Sequence, residues 1–192
     1  MLKACVGAGV ARGISEDVAD AVLALLLLGH DPLDELLMCL ETFSPAKPPN
    51  GDRSESGQIR FQQVSLLNHG PSMIDLAQAG NIVSFPNEQP VLIAGLAQAR
   101  AMSNGRGFEI ATGNSEWVTP ERFLAERPAV FQGAELSLRQ TGEQNIPRLT
   151  RCNAPQPNPD HWAKLQCFAN LILVPADSTN RADAGAGLTD ND

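Results

Sequence analysis

The chain is predicted to be an α+β protein, and three observations in its 192 residues carry that expectation. Two leucine-rich segments near the start have helical spacing and a helix stop between them. Residues 44–57 are then crowded with Pro, Ser, Gly and Asn and show no periodicity. Beyond them, short alternating runs of apolar and polar residues are interleaved with short helical runs, the pattern of a mixed domain.

Ser15 is a good N-cap, and Glu16 and Asp17 put negative charge where the helix macrodipole favours it, so a helix is expected from about residue 16. Val18, Val22, Leu25 and Leu26 share a face, while Leu23, Leu27 and Leu28 spread the apolar surface around the last turns. Burial on more than one side follows. Gly29 stops the helix, and Asp31 caps a second one with Pro32 at its first position, Asp34 at its third and a buried face of Leu33, Leu36, Leu37 and Leu40. Residues 1–43 are therefore expected to form a helical hairpin, and residues 44–57 a flexible linker.

Residues 58–183 are expected to be the α+β domain. Ile59, Phe61 and Gln63 alternate with polar neighbours, which suggests a strand running to Leu67. Ser72 with Asp75 marks a short helix closed by Gly80; Ile82 to Phe85 is a strand; Val91 to Met102 is a helix stopped by Asn104-Gly105. Phe108-Glu109-Ile110 and Trp117-Val118 suggest a β-hairpin. Thr119 and Pro120 open a brief helix that buries Phe123 and Leu124, and Ala134, Leu136 and Leu138 alternate as a strand. After an irregular stretch, Asp160 caps a helix in which Trp162, Leu165 and Phe168 recur at intervals of three and are expected in the core. Leu171 to Val174 then reads as a buried strand.

Composition narrows function by exclusion. Fourteen Lys and Arg face 22 Asp and Glu, a net charge of −8, which argues against nucleic acid and anionic membranes as partners. The longest apolar run, residues 21–28, falls far short of the roughly 20 residues of a membrane span, and acidic residues precede it, unlike the basic start of a secretory signal. A soluble, cytoplasmic protein is expected. Cys5, Cys39, Cys152 and Cys167 lack any C-x-x-C spacing, and His30, His69 and His161 lie far apart, so nothing asks for a metal site or a cofactor. Gly7-Ala8-Gly9 and Gly13 approach a dinucleotide fingerprint, but the third glycine is one place late and a leucine-rich helix stands where a second strand is needed.

The least generic stretch is the tail, residues 184–192. Ordering those residues costs roughly 1–2 kcal/mol each, while burying Leu188, the only large apolar side chain, returns about 1.5–3 kcal/mol. Either the tail is disordered, or polar contacts order it. In the second case Gly185 and Gly187 allow close backbone approach, Arg181 and Thr189 are candidate ligand binders, and Asp190 or Asp192 is the candidate general base or hard-cation ligand.

That tail, the Trp162 segment and the opening, with Leu2-Lys3-Ala4, Gly7-Ala8-Gly9 and Ile14-Ser15-Glu16-Asp17-Val18-Ala19, resemble an uncharacterised bacterial family, the domain of unknown function numbered thirty-seven twenty-six. The resemblance covers both ends of the chain and implies no activity. It implies that the tail is ordered and functional. Two functions from different classes are expected to compete: an interaction or accessory subunit with a protein partner or a second copy of itself, and a small-molecule enzyme whose site forms where the tail folds back.

Overall fold

The sheet runs in the order β1-β2-β3-β5-β4, with β1 at Gly51–Arg53, β2 at Gln58–Phe61, β3 at Ile82–Pro86, β4 at Arg106–Thr112 and β5 at Glu135–Glu143. This computed structural model describes residues 1–44, 51–53, 57–62, 64–86, 89–113, 115–126, 135–143, 155–156 and 158–172. Among them lie seven helices: α1 (Leu2–Gly7), α2 (Arg12–Leu27), α3 (Leu33–Glu41), α4 (Leu66–Gln78), α5 (Pro90–Asn104), α6 (Pro120–Ala125) and α7 (Pro159–Asn170). The α+β class is as expected, and among the described residues no helix is long and apolar enough to cross a membrane.

Among the described strands only β2 and β3 pair in parallel, an arrangement that needs a crossover connection, which α4 supplies. β5 lies antiparallel between β3 and β4, opposing Val83 to Leu138 and Phe108 to Gln140. Alternation along these strands sends Val83, Phe85, Phe108, Ile110, Leu136 and Leu138 into the core, where α4 and α5 cover them. The opposite face is polar: Gln58 donates to Ser84 Oγ, Ser84 and Ser137 hydroxyls meet at 2.8 Å, and Arg60 pairs with Glu135. Phe108 and Ile110 do lie on a strand, but β4 takes β5 as its ladder partner, and Val118 joins it only through a bridge to Ile110.

α5 forms the middle layer, touching β4 below and α2 above. Its close fit to α2 depends on Gly95, where a Cβ would stand 2.5 Å from Leu25 Cδ1 and 3.0 Å from the Ala21 carbonyl oxygen. Residues of α1, α2 and α3 consequently share one core with the sheet. Gly51–Arg53, inside the segment expected as a linker, is the edge strand β1 and pairs antiparallel with β2.

Several helix boundaries depart from expectation for identifiable reasons. α2 starts at Arg12, so Ser15 is inside it rather than its cap; Ser15 is fully buried and its hydroxyl donates back to the carbonyls of Val10 and Ala11. Leu66 and Leu67 do not extend β2. They begin α4, because Leu66, Gly70, Met73, Ile74 and Ala77 fall on one buried face, and that packing outweighs the backbone hydrogen bond forgone at Pro71 inside the helix. Where local signals are strongest, expectation and structure agree. Leu33 N–H donates to Asp31 at the start of α3, Thr119 caps α6, and Gly29 and Gly105 close α2 and α5 with φ of 84° and 73°.

Candidate functional site

The six residues proposed from sequence as site candidates, Arg181, Gly185, Gly187, Thr189, Asp190 and Asp192, lie outside the described residues, as does Val174. Of the stretch expected to be a buried strand, Leu171 and Ile172 are described, and both correct it: they form a turn after α7 and are 69% and 39% exposed.

The three histidines are held apart by different elements. His30 follows Gly29 after α2, where burial lowers its pKa. His69 accepts at Nδ1 from the Ser65 N–H at 3.4 Å, and His161 Nε2 lies 3.0 Å from Asp34 Oδ1. Among the described residues no group of three or more His, Cys, Asp or Glu is placed to hold a metal ion. Cys5 is sealed in α1, and burial pushes its thiol up to about 11, which leaves almost no thiolate for chemistry at neutral pH.

Two hollows remain. One, of about 230 Å³, opens between the end of α3 and the starts of α4 and α5, bordered by Cys39, Thr42, Ser44, Ser65 and Gln89. The other is a cleft of about 60 Å³ where Asp17 and Asp20 of α2 face Arg100 and Ser103 of α5. Burial raises the Asp17 pKa against the pull of Arg100, and Arg100 is itself paired to Asp75 of α4 at 3.0 Å. Both are smaller than the roughly 300 Å³ or more typical of organic-ligand sites. The most perturbed carboxyl outside them, Glu35, has a structural task. Its two oxygens accept from the N–H groups of Val91 and Leu92, so that α3 caps α5 across a tertiary contact. Burial outweighs those two donors and raises the Glu35 pKa. Nothing in the sequence around Glu35 marks this role, because its partners lie more than fifty residues away.

The surface of α7 is the feature that sequence periodicity misplaced. Trp162 is 52% exposed instead of buried, Leu165 is 3% exposed and Phe168 is half-buried. Three-residue steps drift by about 60° each around a helix of 3.6 residues per turn, so Trp162 and Phe168 stand on opposite flanks of Leu165. The seam against the body is instead His161, Leu165, Phe168 and Ile172, spaced four, three and four. α1 receives it closely: a Cβ on Gly7 would lie 1.8 Å from the Phe168 carbonyl oxygen and 3.4 Å from Ile172 Cγ1. On α3, Asp34 and Glu41 meet His161 and Lys164. Trp162 is left displayed on a helix whose other side is fixed.

Comparison with protein-family models, with curated proteins and with solved structures found no match.

Proposed function

We propose that this chain is an interaction protein that docks a protein partner through the outer flank of α7. The observation that carries it is Trp162, a large aromatic side chain left half-exposed although its helix is anchored by Leu165 and by contacts to Asp34 and Glu41. Tryptophan is enriched among the residues that anchor protein interfaces, since it offers much apolar area with few rotamers to freeze. The net charge of −8 favours a partner with a basic rim. The small volume of both hollows supports docking over turnover of an organic substrate.

The test compares wild type with Trp162→Ala in capture of partners by a photo-crosslinker placed on α7. Loss of a central aromatic anchor is expected to weaken binding on the order of thirtyfold with an unchanged melting temperature. Identical captured sets for the two proteins would reject this surface.

A further inference from the structure

The two ring nitrogens of His161 meet different surroundings. Nε2 reaches Asp34 Oδ1 at 3.0 Å, and the Asp34 side chain is 86% exposed. Nδ1 is closed off from water and has no hydrogen-bond partner among the described residues. A carboxylate oxygen can only accept, so Nε2 carries the ring proton and Nδ1 is bare. The seat of α7 therefore fits one form of the ring, the neutral one protonated at Nε2. A second proton would have to go on Nδ1, where it would make a cationic N–H with neither acceptor nor water, and that costs much more than a bare nitrogen in the same place. The return is small. Charge on the ring would strengthen the pairing with Asp34, but a pair open to solvent contributes little. Little else holds the helix, since Leu165 is the buried residue of α7 and Phe168 is half-buried.

We propose that His161 is a pH-sensitive latch: with its ring neutral it holds α7 against α1 and α3, and a second proton releases the helix and with it the fixed setting of Trp162. The consequence for docking rests on the reading of α7 as the docking helix; the latch itself does not. Release opens Nδ1 to water, so the released helix takes up a proton that the seated helix has no place for, and falling pH favours release. Other charged or titratable groups lie on the elements packed together here: Asp34 and Glu41 on α3, Lys3 and Cys5 on α1, and Asp160 and Lys164 on α7 itself. All of them stay in place when the imidazole alone is replaced, which separates its contribution from theirs.

Amide hydrogen exchange of the full chain at about pH 7.5 and about pH 5.5, on either side of the ordinary histidine titration, tests this in wild type, His161→Gln and Asp34→Asn. Protection factors in α7 are read against those of β3 and β5, so that loosening of α7 alone is distinguished from general destabilisation. In wild type, α7 protection is expected to fall about fivefold relative to the sheet at the lower pH, and in His161→Gln to stay level. Asp34→Asn keeps an acceptor for the Nε2–H and removes the charge pairing, so its fall is expected to be at least as steep as in wild type. Protection of α7 that holds or rises in wild type on acidification overturns the proposal, as does an equal fall in His161→Gln or a level Asp34→Asn. If His161→Gln loosens α7 at both pH values, the wild-type and Asp34→Asn profiles still decide. None of these readings uses a partner, so a failed latch leaves the docking surface standing, and identical capture by wild type and Trp162→Ala removes the docking surface and leaves the latch.

Discussion

α5 and α7 begin alike and end up in opposite environments. Each has proline at its first position, and each is of ordinary length. Yet α5 buries Pro90, Leu92, Ile93, Ala94, Gly95, Leu96, Ala97, Gln98 and Ala101, while α7 buries Leu165. Layer position accounts for the contrast. α5 lies between α2 and the sheet, so both of its faces meet protein, and small residues are needed where α2 comes closest. α7 rests on the outside of α1 and α3, and one side of it meets solvent. An amphipathic stripe says which side of a helix is apolar, but the layer beneath it and any layer above it belong to the tertiary structure.

The contrast breaks first under truncation of α5. Ile93→Ala removes a fully buried side chain from a layer packed on both faces, and about 2–5 kcal/mol of global stability is expected to be lost in chemical denaturation. A loss as small as that of an exposed site would show that α5 is not the middle of the core. Gly7→Ala comes next. Its methyl group would overlap the Phe168 carbonyl, and backbone on both sides leaves no flexible side chain to yield. Local displacement of α7 is expected at a cost of about 1–3 kcal/mol, seen as faster amide hydrogen exchange in α7 with the sheet amides unchanged. Uniform acceleration through β3 and β5 would mean instead that α7 and the sheet unfold as one unit.

Glu35 joins the hairpin to α5 and gives the comparison a pH axis. Its folded pKa is raised above the ordinary 4.5, so the fold holds the proton more tightly than the unfolded chain does. The corresponding stability is fully present below 4.5 and declines as pH rises through the folded value, after which the dependence is flat. Glu35→Gln is expected to remove that decline, measured as the change in unfolding free energy across mildly acidic pH. An identical profile for the variant would assign the slope to another group, with Asp17, shifted the same way, first in line. The smallest effect belongs to Trp162→Ala, for which a change within about 0.5 kcal/mol is expected because the indole stands half in solvent. Destabilisation of several kcal/mol would return Trp162 to the core and remove the basis for a docking surface.

Much of the local architecture was legible in the residues themselves. Gly29, Thr119 with Pro120, and Gly105 act through backbone groups within a few positions of themselves, and their roles were read correctly, whereas the cap of α3 falls on Pro32 rather than Asp31, whose Oδ1 accepts from the Leu33 N–H. The alternation of Leu136 and Leu138, and the strand at Ile82–Pro86, also emerged from spacing alone. Tertiary structure decided what depends on distant partners: the pairing of β4 with β5 rather than with Val118, the continuation of α4 through Pro71, the capping of α5 by Glu35, and the side of α7 that faces solvent. In none of these cases did local propensity settle the outcome, and at Pro71 it was overridden. Contacts between residues far apart in the chain chose among them by burying one arrangement of side chains better than another, and a linear pattern does not encode which layers will meet.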